Sequence, residues 1–206
     1  KGLDVRAIRP PTVAPGAERL RVVCHSHNRP ADLQQLVATL QELNLPATGL
    51  VDRTHSVAAP LVVLGTDTDV GKTVVSAALL RAASKEGPAR YWKPVQSGPD
   101  CDTQTVLSLS AGEVLEPGYT FDLPASPHEA ARAEERMVDL EYLDRALKEH
   151  LARPGTLVIE PAGGVHVPLT DECLQIDWLA RQRMLCVLVA RSGLGTLNHT
   201  LLTLEA

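Results

Sequence analysis

The sequence predicts an α/β fold: a mostly parallel sheet with helices on both faces, preceded by a small N-terminal α+β segment. Three observations carry that expectation. Short apolar runs recur at 61–64 (LVVL), 156–159 (TLVI) and 184–190 (MLCVLVA), with the length and composition of strands buried on both faces. Segments with helical spacing lie between them, most clearly 138–151, where Leu140, Leu143, Leu147 and Leu151 are in phase. Each run also opens into a polar or small-residue loop, at the strand ends where open α/β sheets collect ligands.

The first run is the most informative. Residues 65–71, GTDTDVG, form a polar, glycine-bearing turn, followed by Lys72, Thr73 and an apolar-rich helical segment to residue 83. Strand, phosphate loop and helix stand in the order of a P-loop NTPase-type nucleotide site. Backbone N–H groups of the turn, including those of Asp69, Val70 and Gly71, would cradle polyphosphate together with the helix N-terminus. Lys72 would sit on the outer phosphates, and the Thr73 hydroxyl would help hold Mg²⁺. The spacing G-x-x-x-x-G-K-[ST] is met imperfectly, because Thr66 occupies the first glycine position and Gly65 lies one residue too early. A bare GKT also suits an ordinary helix start with a solvated lysine. Placed between an apolar strand and an apolar helix, it points to phosphate.

Composition narrows the function. With 206 residues the chain can bury one good core, or one core and a small appendage. Net charge is −5, so no basic surplus marks nucleic acid as a partner, and 3% aromatics leave little for base stacking. Cys24, Cys101, Cys173 and Cys186 are far apart and form no C-x-x-C, as expected of incidental thiols in a reducing compartment. The start has no signal-peptide core and no run approaches transmembrane length, so no membrane partner and a cytoplasmic (or processed organellar) location are expected.

Ahead of the phosphate loop, residues 3–9 and 19–25 read as strands, and 31–43 as a helix with Leu33, Leu36, Val37, Leu40 and Leu43 in phase. The expected organisation is an α+β segment at 1–45, a linker at 46–60 and a nucleotide-binding domain at 61–206.

Beyond the loop, a short strand ending in Tyr91-Trp92 delivers Lys93, followed by PVQSG. Lys93 is placed either to reach an anion beside the phosphate loop or to end a strand in solvent. Pro94 and Gly98 force a sharp exit from the sheet. Asp102 opens the helical run 103–109 either as its N-cap or as a metal ligand. Residues 119–128 read as a turn-rich loop, 129–134 as the start of a polar helix, 177–182 as a short helix and 197–205 as another. Glu160 ends the apolar run 156–159, a position suited to Mg²⁺, and the small residues 162–164 behind it let a substrate approach the backbone.

Two resemblances follow. The stretches GTDTDVGKTVVSAALL, YWKPVQSG, ASPHEAA, VIEPAGGVHVPL and LVARSGLGTLNHTLLTLEA, spread in order over 61–206, are similar to the ATP-dependent dethiobiotin synthetases. In that family the early glycine is normal. The resemblance implies a cyclo-ligase of biotin biosynthesis that takes 7,8-diaminononanoate, CO₂ and ATP with Mg²⁺. It closes the ureido ring through a carbamate and a carbamic–phosphoric anhydride. It implies catalytic roles for Lys72, Lys93, Thr68 and Ser97, with ATP held by Asp69, Val70, Gly71, Lys72, Thr73, Asp102 and Glu160. Mg²⁺ falls to Thr73, Asp102 and Glu160. The substrate falls to Thr68, Lys93, Ser97, Gly163, Gly164, Val165 and, across a homodimer interface, Asn198. Where the family has EGAGG this chain has Pro161, which removes one backbone N–H. The family pattern also continues past Ala206 with a further core strand and the adenine-recognising residues. The resemblance therefore implies an unpaired sheet edge, an open base pocket and a weakly stable, weakly active chain.

The stretch VRAIRPPTVAPGAERLRVVCHSHN within 2–43 resembles the C-terminal tail of the 8-amino-7-oxononanoate synthases, of the α-oxoamine synthase family. Arg9 matches a substrate-contacting arginine there. The cofactor lysine has no match in this chain, so no pyridoxal phosphate is expected. Competing readings are a P-loop switch ATPase of the partitioning or metal-chaperone kind, or an inactive piece of a fused biotin-synthesis enzyme.

Overall fold

The computed structural model describes residues 60–99, 101–182 and 184–206, with 4–8 and 19–23 described as backbone strands. The helix expected at 31–43 and the linker expected from 46 lie outside the described residues, apart from Pro60.

The phosphate-loop strand β3 (Leu61–Gly65) is the middle strand of a seven-stranded sheet. β8 (Thr156–Ile159) pairs with it on one side and β9 (Leu185–Ala190) on the other, both parallel. Beyond β8 come β4 (Ala89–Trp92) and β6 (Glu113–Val114), again parallel. Beyond β9 lies β2 (Arg19–Val23), parallel, with β1 (Asp4–Ile8) antiparallel outside it. The resemblance implied an unpaired sheet edge without assigning it to a strand; β9 has partners on both sides, because the backbone of Arg21, Val22 and Val23 runs in register with Leu188, Val189 and Ala190.

Strand alternation splits the core into two layers, one on each face. Val62, Trp92, Leu157 and Ile159 pack against Leu143 and Leu147 of α4 (Leu140–Ala152) and Trp178 and Leu179 of α5 (Gln175–Ala180). Their neighbours Val63, Tyr91, Val158 and Val189 face the other way. They meet Val75, Ala77 and Leu80 of α1 (Lys72–Glu86) and Val106 of α2 (Asp102–Leu109). Parallel register keeps partners on one face: Val62 opposes Ile159, and Tyr91 opposes Val158. The expected mostly parallel sheet with helices on both faces is therefore the observed one.

Details differ where the sequence signal is short. Tyr119–Phe121, expected as loop, is strand β7, paired in parallel with β5 (Val95–Ser97) in a separate two-stranded sheet. Three residues cannot display a period, yet Phe121 is fully buried and anchors the strand to the core. α3 spans Pro127–Ala133 because proline suits the first turn of a helix. α4 starts at Leu140, later than expected, because the Asp139 carboxylate caps the N–H groups of Glu141 and Tyr142. α5 starts earlier than expected, and α6 spans Thr196–Glu205.

Candidate active site at the carboxyl ends of the parallel strands

β3, β4 and β8 all end at one rim of the sheet, so the residues after each strand converge there. After β3 the chain turns through Asp69 (φ 55°) and Gly71 (φ 100°) into α1. No side chain caps that helix, and Val70 closes the loop from below by burying itself among Val63 and Val75. The Lys72 side chain folds back over the loop and its Nζ donates to the Asp67 carbonyl at 2.9 Å. A β-carbon on Gly65 would lie 2.9 Å from Lys72 Cδ and 3.0 Å from its Nζ. The early glycine is thus the floor on which the lysine rests.

Around Thr73 the polar groups form one network. Its Oγ1 lies 2.8 Å from Asp102 Oδ1 and 2.8 Å from Glu160 Oε1, and its single proton can serve one carboxylate at a time. Lys93 Nζ reaches Asp102 Oδ2 at 2.7 Å and Glu160 Oε1 at 3.7 Å. Asp102 is the first residue of α2 and makes no cap bond, so of its two readings the N-cap is set aside. Glu160, Lys93 and Lys72 are all buried.

Burial is the largest influence on Lys72 and lowers its pKa. The carboxylates Glu160 and Asp102 oppose that, and Lys93 reinforces it. Burial alone would raise the Asp102 carboxyl. The charge and hydrogen bond of Lys93, with Thr73 and Lys72, outweigh it and hold the group below its ordinary value.

These groups face a cleft of about 700 Å³. It brings together Thr68, Asp69, Gly71, Lys72 and Thr73 with Lys93 and Ser97, and adds Asp102, Glu160 and Gly163. Among the expected site residues, Val70 and Val165 are buried, and Asn198 is exposed on α6 outside the cleft lining. Gly163 adopts φ 51°, and a β-carbon there would press on Val167 at 2.9 Å and Thr68 Oγ1 at 3.4 Å. Gly164 passes beside Thr66 and Asp67, so the loop after β8 lies directly on the phosphate loop.

Three contributors escape a sequence reading. The Tyr91 hydroxyl donates to Glu160 Oε2 at 3.1 Å in a buried setting. Burial, followed by the charges of Glu160 and Asp102, pushes that phenol far up, so it stays protonated. Its signal is the two-residue step to Lys93. Gln175, buried at the start of α5, accepts from Ala162 N (3.0 Å) and donates to the carbonyls of Ala162 (2.9 Å) and Gly164 (3.1 Å). Arg191 donates to the Thr68 carbonyl at 3.1 Å, tying the loop after β9 to the phosphate loop. Nothing local in the sequence announces the last two.

Among the described residues no three His, Cys, Asp or Glu side chains cluster as a metal site. Asp102, Glu160 and the Thr73 hydroxyl are instead a hard-oxygen set, suited to a Mg²⁺ ion that also takes phosphate oxygens and water. The donor chemistry fits.

Fold and site together define a P-loop nucleotide-binding protein of the α/β class. Residues 59–206 match the model of the AAA domain family. The ATP-dependent dethiobiotin synthetase BioD of Rhodopseudomonas palustris (strain HaA2) is 49% identical over 152 residues, covering 71% of this chain and 67% of that protein. The enzyme of the same name from Paramagnetospirillum magneticum is 46% identical over 146 residues, covering 69% and 67%. That of Brucella anthropi is 46% identical over 153, covering 70% and 66%. The chain spans about two thirds of the length of these relatives. It belongs to the dethiobiotin synthetase family, whose members are ATP-dependent ligases. The family match begins at residue 59 and does not reach the stretch read as α-oxoamine synthase-like.

Proposed function

We propose that the protein uses ATP and Mg²⁺ to close the ureido ring of dethiobiotin from 7,8-diaminononanoate and CO₂. One observation carries the reading: two buried lysines from different elements, Lys72 opening α1 and Lys93 just after β4, face one cleft beside a Thr–Asp–Glu oxygen set. The substrate names of the family supply the rest.

One amine adds to CO₂ and loses a proton, giving a carbamate. A carbamate oxygen then attacks the γ-phosphorus and ADP leaves. The second amine attacks the carbonyl carbon of the resulting anhydride, phosphate leaves, and the cyclic urea remains. Every oxygen taking part is anionic or becomes so. Fixed positive charge in a water-poor site therefore lowers the barrier more than any covalent help from the protein.

Lys72 holds the outer phosphates from the loop side. Lys93 approaches from β4 and neutralises the carbamate, with Thr68 and Ser97 orienting its oxygens. Bound Mg²⁺ would supply Lewis-acid polarisation of the phosphates, held by Thr73, Asp102 and Glu160. Tyr91 keeps Glu160 in the rotamer that presents Oε1 to Thr73.

Asn198 reaches substrate across a homodimer interface in this reading. The exposed leucines 194, 197, 201 and 202 on and before α6 support that face.

The test is direct. With diaminononanoate, bicarbonate and Mg-ATP, dethiobiotin accumulates and is read by mass, and phosphate release depends on the diamine. Diamine-independent phosphate release with no dethiobiotin would favour the switch-ATPase reading and sink this one. Lys93→Ala abolishes turnover while ATP still binds.

A further inference from the structure

The loop joining β7 to α3 forms one wall of the cleft through Pro124, Ala125, Ser126 and Pro127. Its sequence, ASPHEAA, carries a serine, a histidine and a glutamate that the reaction above leaves unused. Ser126 stands just before α3, where a serine oxygen ordinarily accepts an N–H of the first helical turn. It makes no such bond. Its Oγ lies instead 2.9 Å from His128 Nδ1.

The other ring nitrogen, Nε2, faces Glu129 Oε1 at 3.4 Å. Glu129 is paired in turn with Arg132, which also donates to Asp171 Oδ1 at 2.7 Å. A carboxylate beside Nε2 favours the tautomer protonated there, leaving the Nδ1 lone pair to accept from the Ser126 hydroxyl. Of the strands packed on α3, β5 carries no titratable residue, and β7 carries Tyr119, whose hydroxyl accepts from Asp139 N. The His128 side chain keeps 19% of its surface in solvent, so a proton taken up can be returned to water.

The proposed chemistry needs such a pair. An alkylamine has a pKa near that of lysine, about 10.4, so the substrate amines are largely ammonium ions at neutral pH. Neither can attack carbon until it loses a proton. Lys72 and Lys93 are engaged with the Asp67 carbonyl and with Asp102, and Asp102 and Glu160 are committed to Thr73, Lys93 and Tyr91.

We infer that Ser126 and His128 form the proton relay that frees a substrate amine. An ammonium N–H passes its proton to Ser126 Oγ as the Ser126 O–H proton moves to His128 Nδ1. The released nitrogen lone pair forms the new N–C bond. His128 becomes an imidazolium whose Nε2–H faces Glu129, and it then yields a proton to water. Ser126 is the catalytic contact, and His128 acts behind it. The inference rests on the proposed function and adds a residue pair to it.

The experiment compares the full chain with His128→Gln and Ser126→Ala. Each variant lowers kcat/KM for the diamine about 10²-fold near pH 7. The deficit narrows toward about pH 9, where more substrate is already free amine. ATP affinity stays unchanged, and the double variant falls no further than either single one. A loss of equal size at both pH values, or no loss in either variant, overturns the relay while leaving the proposed function intact. A wild-type chain that makes no dethiobiotin overturns both.

Discussion

Gly65, at the scale of single residues, owes its identity to a lysine seven positions later. A β-carbon at Gly65 would meet the Asp67 carbonyl and Lys72 Cδ, each at 2.9 Å, so Gly65→Ala displaces the Lys72 chain from its rotamer and presses on the loop backbone that it bonds. A displaced rotamer costs on the order of 1 kcal/mol, so nucleotide affinity falls by roughly fivefold. Calorimetric titration with ATP reads the loss, while circular dichroism stays unchanged. The same glycine looks like a spacing defect in the sequence, since a motif counts positions and not what lies on them.

Asp102 offers a pH signature. Its folded carboxyl is held below its ordinary 3.8, so its contribution to stability is complete above that value. The contribution is lost as pH falls through the depressed value, because the unfolded chain then binds the proton first. In Lys93→Met the strongest opposing charge is gone, burial prevails, and the carboxyl moves upward instead. Less stability then depends on Asp102 being ionised, so the fall of the urea midpoint on acidification is smaller in the variant than in the wild type. Thr73, Asp102 and Glu160 were legible as a set, since each follows a recognisable strand or opens a helix. Tyr91 was not, because a tyrosine in an apolar strand looks like packing until its hydroxyl partner is known.

Between elements, the loop after β8 stays in place through α5. Gln175 acts as a backbone surrogate, offering one acceptor and two donor contacts to Ala162 and Gly164. Gln175→Leu keeps the volume and strands those backbone groups. Unmet groups of this kind cost about 1–3 kcal/mol each before water reaches them, so stability falls by roughly 3 kcal/mol in urea unfolding. Nucleotide affinity drops with it, since Gly163 and Gly164 lie on the phosphate loop.

At this scale the sequence was informative wherever an element is long or buried. β3, β8 and β9 were visible as apolar runs, and α4 by its leucines. β5 and β7 were not, because each is three residues long and their pairing joins segments that share no periodicity. Helix ends shifted with caps that only geometry reveals, as at Asp139.

For the molecule as a whole, the order of strands carries the main surprise. β2 lies between β1 and β9, so its backbone serves two ladders at once. Val22→Pro removes an N–H from that position and puts a ring where the partner strand must pass. Loss of pairing leaves the β9 edge open to other chains, and the variant melts at lower temperature and aggregates on heating, as light scattering would show. Wild-type behaviour in the variant would detach β2 from the stability of the sheet. Helices on both faces and a nucleotide site at the strand ends were readable from order alone. The covered edge was not, since it depends on residues distant in sequence.

Lys93 lies 2.7 Å from Asp102 and 3.7 Å from Glu160, so these carboxylates already have a counter-ion within the chain. In the proposed reading, a divalent ion held by these carboxylates would compete with that ammonium for the same oxygens. Cation uptake and the freeing of Lys93 for an anionic substrate are then two sides of one exchange, and by reciprocity each favours the other. Removing the internal competitor separates them. Lys93→Ala binds Mn²⁺ more tightly in the absence of substrate, while bicarbonate and diamine no longer strengthen that binding. In the proposed reading the lysine is a resident occupant that a bound divalent cation would displace.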